Sequence, residues 1–273
     1  MQIIIDYIKQ YTGTTSDGIA WAMFIVACLI VVFALIGVGI SIVLFFKYHK
    51  LNKTKNSCGM TGEQVARTLL DKNDLQNIKV SPTGSLLFGN SYSHYFHKVR
   101  LRRFTYKKDS VTSLAMAAQK TALAVMDKEN DPMMKTRNVL IPLQLFGPIM
   151  FVPLVVIGVI LDVVIAIANN VTPNFLLTFI LAGVGVLFYV ASFVLTAVIL
   201  KVETKGQAKA IEILQKEQLA TEEEIGWIKD LYKLYNLEYV NNMILAFLEL
   251  LLRVLQLVAA LQGNSSFSSN SNN

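Results

Sequence analysis

The feature that most constrains this chain is a set of long stretches without charge, of which the first is the clearest. Between Gly18 and Phe46 no residue is charged. At about 1.5 Å per residue, a helix of this length exceeds the roughly 30 Å hydrocarbon core of a bilayer. The whole chain is 53% hydrophobic and only 16% charged, whereas soluble domains carry about 25% charged residues. The sequence therefore predicts a membrane protein whose first span is residues 18–46.

The second apolar stretch, residues 139–168, is interrupted by prolines. Pro142, Pro148 and Pro153 fall within it, and proline removes a helical hydrogen bond and kinks a helix. We therefore expect a kinked second span whose membrane-crossing part begins near Pro148. Asp162 is interpreted as an interfacial carboxylate near the outer end of this span. The alternative is a proton-relay or transport residue, because carboxylates inside spans are costly.

Two further spans bring the number to four. Residues 174–200 carry no charge and form the third span, and residues 239–262 form the fourth although they contain Glu249 and Arg253. These two residues are four positions apart and so lie on one helical face, where pairing would lessen the cost of each charge in the membrane. The Ser/Asn-rich tail, residues 263–273, is predicted to be disordered.

The basic residues lie almost entirely in two segments between the spans. Residues 47–138 hold 17 of the 25 Lys and Arg residues and residues 201–238 hold 6, which leaves Lys9 and Arg253. By the positive-inside rule both segments are cytoplasmic. The N-terminal segment 1–17 and the tail then lie outside the plasma membrane. The net charge of +6 thus reflects topology, and nucleic acid is not an expected partner.

The two cytoplasmic segments differ in predicted structure. In the first, a helix behind a capping box is expected over about 62–72, a small sheet or hairpin over 78–107, and a helix over Ser110 to Lys128. In the second, helical patterns run from Glu203 to Gln218 and onward from a capping box at Thr221 to Glu224. The fold class is therefore mainly α: a four-transmembrane-helix integral membrane protein with an α+β cytoplasmic segment between spans one and two and a helical one between spans three and four.

Residues with metal-binding or catalytic chemistry are few. Of three histidines, His94 and His97 flank two aromatic residues in the predicted sheet. A strand would place their side chains on opposite faces, and neither Cys28 nor Cys58 is close in sequence, so we do not expect this pair to bind a metal. The sequence also lacks a G-x-S-x-G motif and a P-loop.

Several short blocks occur in a fixed order across residues 58–255. They are Gly59–Arg67, His94–Tyr95, Val99–Leu101, Ala117–Ala118, Arg137, Pro142, Gly147, Pro153, Val202–Glu203, Ala208–Ala210, Thr221–Ile225, Tyr239–Val240 and Leu250–Arg253. In order and spacing these blocks resemble the YugP-like family of bacterial membrane zinc metallopeptidases. The resemblance implies a metallopeptidase-like structure for residues 47–138 and a zinc cofactor in active members.

The chain departs from that family at the H-E-x-x-H motif, which would follow Ala117–Ala118. Here the five residues are Gln119, Lys120, Thr121, Ala122 and Leu123. In zincins the two histidines bind zinc and the glutamate is the general base. Gln119 is a poor ligand, Leu123 is no ligand, and Lys120 places a cation where a carboxylate belongs. We therefore expect no catalytic residues, no bound zinc and no other cofactor.

Glu203 matches the position that the resemblance assigns to the third zinc ligand. A single glutamate cannot hold zinc. We expect Glu203 to be solvated or paired with Lys120 or Lys205, and pairing with Lys120 would fill the former metal site with an ion pair.

These observations favour a catalytically inactive membrane zinc-metallopeptidase homologue that acts as a scaffold or binding subunit for other membrane proteins. One alternative is an active membrane peptidase with an unconventional site. Another is a small transport or channel subunit, although spans one and three offer almost no polar residues to line a pathway. The expected partners are membrane lipids and other membrane proteins or further copies of the chain.

Overall fold

The computed structural model describes residues 2–84, 89–144 and 146–270, without the side chains of residues 141–148 and 263–270. In this part of the chain the helices are α1 (Gln2–Thr12), α2 (Asp17–Lys53), α3 (Gly62–Lys72), α4 (Arg103–Lys107), α5 (Val111–Lys128), α6 (Pro132–Gln144), α7 (Phe146–Asn169), α8 (Leu176–Lys216) and α9 (Glu222–Asn270). The strands are β1 (Lys79–Thr83), β2 (Ser91–Ser93) and β3 (Lys98–Arg102). The mainly helical composition and the small sheet are as predicted, except that residues 103–107, predicted as part of the sheet, form α4.

Four helices are long and apolar enough to cross a membrane. They are Asp17–Lys53, Ile149–Asn169, Leu176–Lys216 and Glu222–Gln262. Only 11% to 22% of the most apolar window of each helix is buried within the protein. Their apolar side chains therefore face outward, which suits contact with lipid and not with water. The four apolar helices predicted from the sequence are confirmed.

Two predicted features involve residues that the structure describes only in part. Helix α9 extends to Asn270, and the predicted disorder of residues 263–273 stays a prediction. Residues 271–273 lie outside the described residues. The predicted kink rested on Pro142, Pro148 and Pro153. Pro153 lies inside α7, and residue 145, between the end of α6 and the start of α7, is outside the described residues.

The chain divides into two compact units. Unit 1 comprises Met1–Gly37, Pro142–Ala197 and Asn241–Asn273, and unit 2 comprises Val38–Ile141 and Val198–Val240. Within unit 1, α7 and α8 pack closely, since a Cβ on Gly158 would lie 2.6 Å from the Cα of Thr178. The two helix starts predicted from capping boxes lie in unit 2, and both boxes are present.

The sheet of unit 2 has the strand order β1-β3-β2. Strand β2 runs antiparallel to β3, and β1 runs parallel to it with Val80 opposite Val99. Val99 and Leu101 are fully buried, because alternate residues of a strand point to the same face. That face joins a core that also includes Val65, Leu69, Leu114, Leu123, Leu214, Ile228 and Leu231.

Helix α5 lies at the centre of this core. Every residue from Val111 to Met126 is buried, which is unusual for a helix that carries charge. Ser110 caps its N-terminus by accepting a hydrogen bond from the backbone N–H of Ser113. The helix therefore holds two long polar side chains, those of Gln119 and Lys120, away from water, and both need partners there.

Candidate functional site

Helices α5 and α8 meet at the positions that the family resemblance singled out. A Cβ on Gly206 would lie 2.6 Å from Cδ2 of Leu123, so the leucine packs directly over the backbone of α8. One turn earlier on each helix, Gln119 and Glu203 are in contact. Because residues four apart share a helical face, Gln119 and Leu123 both point toward α8. The structure therefore brings together all the positions assigned to metal ligands.

The carboxylate of Glu203 is surrounded by nitrogen donors. Lys120 Nζ lies 2.8 Å from its Oε2, and Arg137 Nη2 donates to its Oε1 at 2.9 Å. Gln119 Nε2 also donates to Oε2 at 3.1 Å. Glu203 is only 6% exposed. The ion pair between Lys120 and Glu203 expected from the sequence is confirmed, and Arg137 is an additional partner.

Opposing effects set the charge state of Glu203. Burial alone would raise its pKa, because a carboxylate loses hydration in the protein interior. The positive charges of Lys120 and Arg137, together with their hydrogen bonds, outweigh that effect and lower the pKa of Glu203 to about 2. The carboxylate is therefore ionised at neutral pH, and its two oxygens are committed to neighbouring N–H groups.

This donor set does not fit a zinc ion. A zinc ligand must offer a lone pair, and ammonium and guanidinium groups have none to offer. Lys120 and Arg137 occupy the space around the carboxylate oxygens with positive charge, which repels a cation. Among the described residues no group of three or more His, Cys, Asp or Glu side chains is placed to hold a metal.

A partly enclosed cavity of about 270 Å³ adjoins the Glu203 cluster within unit 2. Its lining mixes hydroxyl, amide and charged groups with one thioether. The lining residues are Tyr48, Gly89, Asn90, Arg102, Met116, Gln119, Lys120, Glu203, Gln207, Tyr235 and Tyr239. Gln119 and Lys120 are therefore reached from a cavity and are not sealed inside the core.

His94 belongs to a separate cluster around Asp127. Tyr92 donates its hydroxyl proton to Asp127 Oδ2 at 2.6 Å, and His94 Nδ1 lies 2.6 Å from the same oxygen. Asn138 donates to the other oxygen, Oδ1. Burial, and then the hydrogen bond to Asp127, raises the pKa of Tyr92. The ring centres of His94 and His97 are 6.0 Å apart. The polar contact of the His94 ring is with the carboxylate of Asp127.

The pairing of Glu203 with Lys205, the other candidate from the sequence, is replaced by a different ion pair. Lys205, the second candidate partner of Glu203, forms an ion pair with Asp131. The hydrogen bond that Lys205 donates is the largest cause of the lowered pKa of Asp131. Among the described residues, no ion pair joins Lys205 to Glu203. Lys205 is two positions from Glu203, and residues two apart do not share a helical face.

Glu249 and Arg253 in unit 1 also have other partners. Tyr189 donates a hydrogen bond to Glu249 at 2.9 Å. Arg253 contacts Gln256 at 3.3 Å and lies 5.5 Å from the ring centre of Phe151. No ion pair joins Glu249 to Arg253 where the structure describes their side chains. The predicted pairing is thus replaced by a phenol hydrogen bond and a cation–π contact.

Asp162 acts as a cap within unit 1. Its Oδ1 accepts the backbone N–H of Leu177 at 3.1 Å, and its Oδ2 accepts the backbone N–H and the hydroxyl of Thr178. These N–H groups belong to the first turn of α8 and have no partner inside the helix. The interfacial carboxylate predicted from the sequence therefore has a structural role at the start of the third apolar helix.

Comparisons with known proteins agree with the resemblance seen in the sequence. The sequence model of the family described as "Putative neutral zinc metallopeptidase" matches residues 25–259. The "Putative membrane protease YugP" of Bacillus subtilis (strain 168) is 24% identical over 208 residues, which cover 75% of this chain and 84% of that protein. No solved structure matches the chain. Because the family match extends over most of the sequence, including both α5 and α8, the chain belongs to this family of neutral zinc metallopeptidases.

Proposed function

We propose that this chain is a non-hydrolytic member of its family that serves as a membrane scaffold or binding subunit for other membrane proteins. One observation carries the proposal: both oxygens of Glu203 are engaged by N–H donors, two of them cationic. A hydrolytic zinc site needs about three protein ligands, an open position for water and a general base. The positions that would supply two of the ligands and the base hold Gln119, Leu123 and Lys120.

The proposal includes an orientation in the plasma membrane. Residues 47–138 and 201–238 face the cytoplasm, because they hold 23 of the 25 Lys and Arg residues. Both termini then lie outside, and unit 2 is cytoplasmic apart from the ends of its helices. Partners that bind unit 2 are accordingly cytoplasmic proteins or the cytoplasmic parts of other membrane proteins.

The zinc content of the purified full-length chain tests the absence of hydrolysis. We expect well under one zinc per chain by elemental analysis, no cleavage of unstructured peptides above background, and no change in thermal stability with a chelator. Glu203→Gln is the matched control, because contaminating protease activity would persist in it. Stoichiometric zinc with chelator-sensitive cleavage that Glu203→Gln abolishes would refute the proposal. Chelator-resistant cleavage abolished in that variant would favour the unconventional peptidase.

Rebuilding the motif tests the assignment of the positions. The triple variant Gln119→His, Lys120→Glu and Leu123→His restores two histidines one turn apart beside Glu203. We expect it to bind zinc, and we expect the same variant with Glu203→Gln to bind less. Full activity is not expected, because groups that orient metal ligands are also needed. Equal zinc binding with and without Glu203 would contradict the assignment of Glu203 as the third ligand position.

Thiol labelling tests the orientation. In a Cys28→Ser background, an impermeant thiol reagent should leave Cys58 unmodified in intact cells and modify it after permeabilisation. Burial raises the pKa of the Cys58 thiol, so the reaction needs mildly alkaline buffer and long exposure. Labelling of Cys58 in intact cells would overturn the orientation.

Affinity purification from native membranes tests the scaffold role. We expect a defined set of other membrane proteins to copurify with the full-length chain. A sample that contains only copies of this chain would contradict a role as a subunit for other proteins.

A further inference from the structure

The Glu203 cluster contains more positive than negative charge. Lys120 and Arg137 are both paired with the single carboxylate of Glu203, and the side chains of the three residues are 11%, 5% and 7% exposed. The cluster thus has one positive charge in excess. Burying a charge without a counter-charge is costly. The buried Nε of Arg137 also lacks a hydrogen-bond partner in the part of the chain that the structure describes, so the cluster has donors to spare.

Other acidic residues do not neutralise this excess from within the cavity. Glu203 is the only acid among the described residues that line it. Residues 85–88, which precede the lining residue Gly89, read Ser-Leu-Leu-Phe and include no acid. Asp127 acts on Tyr92 together with Arg137, but it does not line the cavity and so offers no carboxylate to Lys120 from within it.

The rest of the lining supplies further donors. Arg102 is exposed and has no ion-pair partner among the described residues, and its guanidinium lies beside Gly89. Asn90 uses its side-chain oxygen to accept the backbone N–H of Arg102, and no other described residue accepts from its NH₂ group. Tyr48, Tyr235 and Tyr239 line the same space, and no hydrogen bond joins their hydroxyls to another described residue.

From this arrangement we infer that the cavity binds a ligand with a single carboxylate, held by Lys120 within the cavity and attracted by Arg102 at its exposed edge. The inference rests on the proposed function, because a zinc-binding chain would use the same position differently. One negative charge matches the one buried positive charge in excess, and carboxylates accept hydrogen bonds readily from ammonium, guanidinium and phenol groups. The volume of about 270 Å³ is near the lower end for small-molecule sites, roughly 300 Å³. The ligand is therefore a small organic acid or the C-terminal end of a polypeptide.

Calorimetric titration of the full-length chain in detergent tests the inference with four probes. An N-acetylated tripeptide with a free carboxylate should bind, and the same tripeptide as its C-terminal amide should bind at least about tenfold more weakly, because it lacks the charge. Butyrate represents the small acid. Butyrate binding as tight as the peptide acid identifies a free acid as the ligand, and tighter peptide binding identifies a chain end. Equal binding of acid and amide, no binding of either acid, or tighter binding of inorganic phosphate would overturn the inference.

Two neighbouring arginines provide a matched pair of variants. Arg102→Gln should weaken binding of the better acid about threefold, the effect of one exposed charge. Arg103→Gln makes the same charge change at the next position, which is also exposed but does not line the cavity, and should leave binding unchanged. Lys120→Gln should weaken binding by more than about tenfold. If Lys120→Gln does not fold, the arginine pair decides, and equal effects of the two arginine variants would refute the site.

Zinc measured on the same samples separates this inference from the proposed function. If the chain contains no zinc and binds none of the carboxylate probes, the inference about the ligand is refuted and the proposed function stands. Stoichiometric zinc refutes the proposed function and the inference with it.

Discussion

Replacing Glu203 by Gln removes the only negative charge of a buried cluster that also contains Lys120 and Arg137. The pKa of Glu203 is lowered from 4.5 to about 2. At 1.36 kcal/mol per pKa unit, this difference corresponds to about 3 kcal/mol of stabilisation at neutral pH. It agrees in size with the roughly 3–5 kcal/mol lost when one member of a buried ion pair is removed. We expect Glu203→Gln to lower the free energy of unfolding by about 3 kcal/mol.

The contribution of Glu203 to stability depends on pH. The pKa of Glu203 is lower in the folded chain than in the unfolded chain, so its contribution is fully present above about pH 4.5 and is lost as the pH falls toward 2. Glu203→Gln has no group to titrate at this position. The difference in stability between wild type and variant should therefore be constant near neutral pH and should shrink below about pH 4.5.

Unfolding of the full-length chain in a mild detergent, followed by fluorescence, measures both effects. Glu212→Gln is the matched control, since Glu212 lies on the same helix and is exposed in its ion pair with Lys209. We expect it to change stability by less than about 0.5 kcal/mol. Combining Glu203→Gln with Lys120→Met should recover part of the loss, because one unpaired cation is removed. A Glu203→Gln variant as stable as wild type, or a difference that does not change below pH 4.5, would refute the argument.

Two further predictions concern close contacts of the helices. Gly206→Ala should reduce stability by about 1–3 kcal/mol, because its Cβ would clash with Leu123. Gly226→Ala, at a helical glycine with nothing within 4 Å, should be neutral or slightly stabilising, and equal thermal shifts for the two would contradict the clash. Asp162→Ala should cost about 2 kcal/mol by removing the cap on α8. Asp162→Asn should cost less in the same thermal unfolding assay, and a harmless Asp162→Ala would argue against the capping role.

The sequence predicted the elements whose signals are local. Thr61 and Gln64 form the capping box that begins α3, and the helix ends at Lys72 as expected. The charge-free stretches predicted four apolar helices because a bilayer selects directly for length and hydropathy. The N-terminal helix α1 was not predicted, since eleven residues fall short of the length at which isolated helices are stable.

The non-local features could not be predicted in the same way. Strands β2 and β3 are joined by a short turn, which a hairpin pattern indicates, but the parallel pairing of β1 with β3 depends on the packing of α3 and α5 on the sheet. In the site, Lys120 and Glu203 were matched only through the family resemblance. Arg137 lies 66 positions from Glu203, and no periodicity in one sequence points the two side chains at each other.

The interlocked packing of α5 on α8 also restricts how this sequence can change over time. A chain that acquired H-E-x-x-H at residues 119–123 one substitution at a time would pass through unfavourable intermediates. Lys120→Glu alone would set a second carboxylate beside Glu203, and Leu123→His alone would bury an imidazole against the backbone at Gly206. Each step lowers stability before any metal can compensate for it. Selection on folding alone would therefore keep the present residues in place.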